Sequence, residues 1–193
     1  ETDDISGYCQ EGFGIFDRTV FKGERWSTTR GYLDPVRDRE NLTIITKALV
    51  CKLNLENNKA TGVCFKDNKN KIFNVKSNKE VILCAGAVGS PHILMLSGIG
   101  PKDHLESMGI NLVVDMPGVG QNLQDHPDFM IKYKCLKPVT LWPKTKRLNS
   151  IGAGIQWLLT KEGMCASNHF DSVACIRSGP GVEYPDLQLC ISP

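Results

Sequence analysis

Apolar and polar positions change rhythm several times along the chain, and each change predicts a different element. Residues 1–40 carry Gly7, Gly12, Gly14, Gly23 and Gly31 among short polar stretches. That pattern predicts loop, with one short helix over 27–38 that Pro35 or the residues after it would end. From Asn41 the chain turns β-rich, with Leu42-Thr43-Ile44-Ile45-Thr46 followed by Leu49-Val50-Cys51-Lys52-Leu53. Asn57-Asn58 predicts a turn, 61–65 a strand, 67–70 a second turn and 71–75 a returning strand. Together these segments spell a β-meander.

Glu80-Val81-Ile82-Leu83-Cys84-Ala85 is close to a continuous apolar run, the pattern of a central strand covered on both faces. It passes into Gly86-Ala87-Val88-Gly89, after which Ser90 and Pro91 predict the start of a helix carrying Ile93, Leu94 and Leu96. Serine is a good N-cap and proline is favoured at the first helical position. Ser97-Gly98-Ile99-Gly100-Pro101 stops it. A second short helix is expected over 102–108, ending at Gly109, and a strand over 111–115. Beyond Gly120 come Pro-containing loops, a helix at 151–161, extended pieces after Ala166 and a strand at 187–191. The fold class is mixed α/β, with a domain boundary expected near residue 127 that separates 1–126 from 127–193.

Composition narrows the function classes. The 193 residues suffice for one domain or parts of two. Apolar residues at 41% and charged residues at 23% give a globular rather than a disordered balance. A net charge of +2 supplies no strong field toward nucleic acid, and no apolar run approaches the roughly 18 residues of a membrane span. The start, Glu-Thr-Asp-Asp, has neither an initiator Met nor a hydrophobic signal core, and reads like the interior of a longer protein. Eight cysteines occur without any C-x-x-C, so paired metal-ligand or redox spacing is missing. Cys64 and Cys84 fall in β-type runs where a thiol packs as a small hydrophobe. Buried free thiols in a reducing, intracellular compartment are the expectation.

Three segments carry candidate chemistry. At 85–91 glycines allow a ligand to approach the backbone and a helix N-terminus offers unpaired N–H groups, although a tight βα turn explains the same residues. At 117–128, Pro-Gly-Val-Gly-Gln-Asn-Leu-Gln-Asp-His-Pro-Asp crowds amide, carboxylate and imidazole groups together. His126 beside Asp125 reads either as a hydrogen-bonded structural histidine or as a catalyst. The third segment is basic: Lys132, Lys134, Lys137, Lys144, Lys146 and Arg147 have no acid between them. It reads either as a solvated face or as a surface for an anionic membrane. Tyr133 and Trp142 are interleaved with it, but no recognised nucleic-acid motif accompanies them.

The fifteen residues Gly86-Ala-Val-Gly-Ser-Pro-His-Ile-Leu-Met-Leu-Ser-Gly-Ile-Gly100 resemble throughout the second signature of the glucose–methanol–choline (GMC) flavin oxidoreductases. Residues 117–126 resemble the Gly-Val-Gly-x-Asn-Leu-Gln-Asp-His block of that family. Gly7-Tyr-Cys-Gln-Glu-Gly-Phe-Gly14, Asp17-Arg-Thr-Val20, Ser27-Thr-Thr-Arg-Gly-Tyr-Leu33, Ala166-Ser-Asn-His-Phe-Asp171 and Ile176-Arg-Ser178 are similar to its choline dehydrogenase branch. The family's G-x-G-x-x-G fingerprint and its catalytic His have no counterpart here, so the chain looks like a central segment of such an enzyme, inactive alone.

The resemblance implies the following. FAD is the cofactor, and the fold is part of a GMC-type FAD-binding domain followed by the start of an antiparallel substrate-domain sheet with an open edge. Val50 matches the meander position whose backbone meets the adenine. Ala85 and Gly86 end the strand beside the cofactor, and Asn122 lies where the chain crosses toward the flavin ring. Asp128 matches a substrate-binding carboxylate, usually Glu, set against a trimethylammonium group; being one methylene shorter, it closes the pocket or shifts substrate preference. Phe129, Trp142, Trp157 and Phe170 are candidate rings for that cation. The implied reaction is hydride transfer from choline to flavin, giving betaine aldehyde, with a quinone-linked acceptor, peripheral membrane association and a mitochondrial or bacterial inner-membrane location. Another alcohol as substrate, or a non-catalytic GMC-like module, is the alternative.

Overall fold

The computed structural model describes Thr2 and residues 4–137 and 139–192; the side chains of Lys144 and Leu148 lie outside that description. In chain order the elements are strands β1 (Gly12–Ile15), β2 (Val20–Phe21) and β3 (Glu24–Arg25), then β4 (Leu49–Glu56), β5 (Lys59–Lys66) and β6 (Ile72–Lys76). Helix α1 (Gly86–Leu96), β7 (Ile99–Gly100), α2 (Lys102–Ser107) and β8 (Val114–Asp115) follow. The last elements are α3 (Trp142–Thr145), α4 (Arg147–Thr160), β9 (Ser172–Ile176) and β10 (Leu187–Ile191). Packing gathers these into two compact units, one of residues up to Leu42 with those from Ile131 onward, the other Thr43–Met130.

The second unit is built on the antiparallel meander β4-β5-β6. Asn57 and Asn58 both take positive φ (50° and 60°), the backbone a two-residue hairpin turn demands. Leu53, Cys64 and Phe65 are buried at its centre. Phe65 stacks on its cross-strand neighbour Phe73 with ring centroids 5.3 Å apart. The β4–β5 register shifts between Val50 and Lys52 and again between Asn54 and Leu55. Between the shifts, the Leu53 N–H donates to Ser97 Oγ at 2.8 Å, and the Ser97 hydroxyl donates to the Ile93 carbonyl at 2.6 Å. One buried hydroxyl thus ties the end of α1 to β4. Strands β7 and β8 pair in parallel, Asp115 Oδ1 accepts the Lys102 N–H at the start of α2, and Leu105 on α2 is fully buried.

The first unit centres on the antiparallel sheet β1-β9-β10, in which Phe13 and Leu189 both register with Ala174. Val173 and Ala174 on β9 are buried, whereas β10 is an edge strand exposed along its length. The β2–β3 hairpin receives α4. Trp157 Nε1 donates to the Gly23 carbonyl at 2.7 Å. Gly23 has φ +70° and a Cβ there would sit 1.7 Å from the Lys161 carbonyl oxygen, so only glycine fits. Lys161 itself ends α4 in the left-handed conformation.

The structure is mixed α/β, with antiparallel sheets, one short parallel pair and interspersed helices, but several elements depart from expectation. Residues 42–46 and 80–85 form no strand, because neither finds a partner ladder among the described residues, and a strand needs one. Ile82 is 76% exposed, so the two-faced burial expected of that run is not formed. Cys84 is exposed rather than packed, and among the described cysteines only Cys64 is buried. Helix α1 begins at Gly86, not at Ser90, and Pro91 lies inside it. The helix expected over 27–38 is a π-helical turn, Thr29–Leu33, followed by a 3-10 turn, Asp34–Val36. Strand β1 arises in a region expected to be loop.

Candidate functional site

The glycine-rich signature forms a helix entrance with open backbone. Ala85 precedes α1 in a non-extended conformation, and its N–H donates to Ser90 Oγ at 3.0 Å. The serine expected to cap the helix from outside therefore folds back from within it, one turn in. Gly86 has φ +83° and nothing within 4 Å of where a Cβ would stand, so its backbone faces open space. No acidic side chain occupies the first turn of α1 and none caps it, leaving the positive end of the helix dipole free to meet a negative or polar group.

The second glycine-rich block packs on the same helix. Val119 is buried, and a Cβ at Gly120 would stand 3.4 Å from Met95 and 3.9 Å from Pro91, both on α1. The signature and the Gly-Val-Gly block are thus neighbours in space. Asn122, two residues on, is exposed with φ 55°, and its Oδ1 accepts a hydrogen bond from Gln124 Nε2 at 3.0 Å. Val50 is half-buried opposite Phe65 on β4, the strand against which α1 packs. Asp128 lies farther along an exposed stretch without regular structure. Asp125 uses its carboxylate on the backbone N–H of His126, at 2.8 Å. All five residues marked by the sequence sit in the unit Thr43–Met130.

The candidate rings are used differently. Trp157 already carries a cation, since Lys161 Nζ stands 3.9 Å from its ring centroid, and its N–H is committed to Gly23. Phe170 pairs with Phe16 at 5.8 Å. Phe129 and Trp142 are exposed.

A cleft in the other unit escaped the sequence reading. A cavity of about 1080 Å³ is lined by Phe16, Asp17, Trp26, Tyr32, Ser167 and Asn168 among others. A smaller one of about 530 Å³ shares Phe16, Asp17 and Ser167 and adds Arg18 and Lys161. Arg18 Nη1 donates to Ser167 Oγ at 3.2 Å. Glu24 receives Lys161 at 2.8 Å and also binds Arg30. The hydrogen bonds from Lys161 and then Arg30 hold its carboxyl below the ordinary glutamate value of 4.5. The signal for this cleft was present: 17–20, 27–33 and 166–171 were three of the segments similar to the choline dehydrogenase branch, without an assigned role.

The family model described as GMC oxidoreductase matches residues 1–128. The chain belongs to the GMC oxidoreductase family. A protein of Ectopseudomonas mendocina (strain ymp) named oxygen-dependent choline dehydrogenase is 47% identical across the whole chain, which covers 34% of that protein. A protein of the same name from Staphylococcus xylosus is 45% identical, again over 100% of this chain and 34% of its own length. The GMC chain therefore spans about a third of the length of these relatives. Among solved structures, an FAD-dependent oxidoreductase from Chaetomium thermophilum superposes with a TM-score of 0.73 at 30% identity, covering 85% of this chain and 30% of that one.

Proposed function

We propose that this chain forms part of an FAD-dependent GMC oxidoreductase that acts on a CH–OH group, with choline as substrate and betaine aldehyde as product. The observation that carries the reading is the seating of Gly120 on Pro91 and Met95, which packs the second glycine-rich block on the helix that the first one opens. Alignment of the whole chain with proteins named choline dehydrogenases supports the substrate. In this reading residues 1–126 belong to the FAD-binding domain and 127–193 to the substrate-binding domain.

The residues present fit the cofactor. Open backbone at Gly86 admits a flat ring close to the main chain, and the uncapped start of α1 suits a polar or anionic group. Val50, Ala85, Gly86 and Asn122 would line the flavin nucleotide. When bound, the flavin supplies the acceptor for the alcohol hydride. Asp128 holds the quaternary ammonium by charge, since that group offers no hydrogen-bond donor. None of the residues here is assigned the role of accepting the hydroxyl proton.

Replacing Asp128 by Asn in the full-length protein tests the substrate. We expect kcat/KM for choline to fall by about 1.4–2.8 kcal/mol, roughly ten- to a hundredfold, with uncharged alcohols unchanged. An equal preference for choline in both forms would remove the trimethylammonium assignment and favour another alcohol. The resemblance pointed to a quinone-linked acceptor, whereas the relatives' names point to dioxygen. Running the assay with a quinone and with oxygen separates the two.

A further inference from the structure

We infer that Ser97 is a positioning residue for flavin: its buried hydroxyl fixes the register between β4, which carries Val50, and α1, which Gly86 opens. Strand β4 is the edge of its three-stranded sheet, so the backbone groups along its outer side have no strand to pair with. Leu53 is nonetheless buried there, and an unmet N–H in that place would be costly. Ser97 Oγ accepts that N–H at 2.8 Å while its own proton goes to the Ile93 carbonyl at 2.6 Å, so the hydroxyl is used in both directions. The β4 register shifts on either side of Leu53, and bulges bend a strand. The hydroxyl therefore grips β4 on the segment between its two irregularities. Apolar packing is non-directional and tolerates small slides, whereas this bond fixes one point of contact between helix and strand.

The same turn reaches the third part of the site. The Gly98 carbonyl accepts the N–H groups of Val113 at 2.8 Å and Val114 at 3.1 Å, and the Gly100 carbonyl accepts that of Met116 at 3.0 Å. A Cβ at Gly98 would stand 2.5 Å from the Asn111 carbonyl oxygen, so the two segments meet backbone to backbone. Met116 leads within a few residues to Gly120, seated on α1, and to Asn122. Residues 97–100 thus join three segments: β4 with Val50, α1 with Ala85 and Gly86 at its start, and the block that ends in Asn122. Ser97 makes its joint through a side chain, so a single substitution removes it without altering a flavin-facing residue. Leu53 and Ser97 are buried by this chain itself, both within Thr43–Met130, so the joint does not depend on what else covers that unit.

Ser97 has this role only if flavin occupies the site proposed above, and the test separates the two claims. On that reading FAD spans from the Val50 segment to Gly86, whereas ADP occupies one end. Flavin-free full-length protein is titrated with FAD and with ADP by calorimetry. We expect Ser97→Ala to weaken FAD about tenfold, the effect of one lost hydrogen bond, and to leave ADP unchanged. Gly23→Ala, in the other unit, should lose at least as much thermal stability and bind FAD like the parent. Ser97→Cys, close in shape but a weaker acceptor, should fall between the parent and Ser97→Ala, and it carries the test if the alanine variant does not fold. FAD affinity unchanged in the Ser97 variants, ADP weakened as much as FAD, or FAD lost from Gly23→Ala in step with its stability would overturn the role. A parent that binds no FAD would overturn the flavin reading itself, and the role of Ser97 with it.

Discussion

Helices α1 and α4 are each tied to β-structure by a side-chain hydrogen bond near their C-terminal ends, yet the two are left in different surroundings. Ser97 fixes the C-terminal end of α1 to β4, and the Gly120 turn packs over Pro91 and Met95, so α1 is covered on two sides and open at its entrance. Trp157 fixes α4 to the turn of the β2–β3 hairpin, and the apolar stripe from Ile151 to Leu159 stays exposed. In the first case packing isolates one open end of a helix, the arrangement a ligand site needs. In the second it leaves a side that this chain does not cover. The same local device gives two outcomes because the remaining neighbours differ.

Breaking the α4 tie gives the largest effect. Gly23→Ala must adopt a left-handed φ and displace the Lys161 carbonyl, so we expect a loss of about 2–4 kcal/mol, read by urea unfolding. The matching change at α1, Ser97→Ala, leaves the Leu53 N–H without its buried acceptor. It should cost about 1–3 kcal/mol in the same measurement. If Ser97→Ala cost nothing, α1 would be held by shape alone and the parallel between the helices would fail.

A finer probe of the α4 region is its ion pairing. The carboxyl of Glu24 is depressed by Lys161 and Arg30, so its contribution is present above the ordinary value of 4.5 and is lost as pH falls through the lowered one. Acidification below pH 4.5 should therefore destabilise the parent more than Glu24→Gln, and the two unfolding curves should converge. The difference should be small, because the pair is partly exposed and screened. Parallel curves throughout the acid range would mean that the Lys161–Glu24 contact adds nothing.

The meander was legible because its information is local: paired asparagines that accept positive φ, and alternating strands of matching length. The helix at 102–108 and the strand at 187–191 were legible for the same reason. What escaped depends on partners. Strand β1 exists because Phe13 meets Ala174 far along the chain. The runs at 42–46 and 80–85 have strand composition but no ladder. Ser90-Pro91 has the chemistry of a helix start, yet α1 begins four residues earlier; Pro91 then lacks only the N–H that would reach Ala87, a limited loss so near the entrance. Of the site, the glycine blocks were readable as motifs. That Gly120 rests on α1, and that three branch-specific segments meet around Asp17 and Ser167, required the fold.

The account turns on the space beside Gly86 being where the flavin meets the main chain. Gly86→Asn tests it most directly, since asparagine tolerates the left-handed backbone while its side chain fills that space. Visible absorbance of the purified full-length variant gives flavin bound per protein, and thermal unfolding of the flavin-free form checks the fold. The account predicts at least a tenfold weaker hold on flavin, about 1.4 kcal/mol, with the flavin-free unfolding temperature unchanged. Full flavin content in the variant would contradict it.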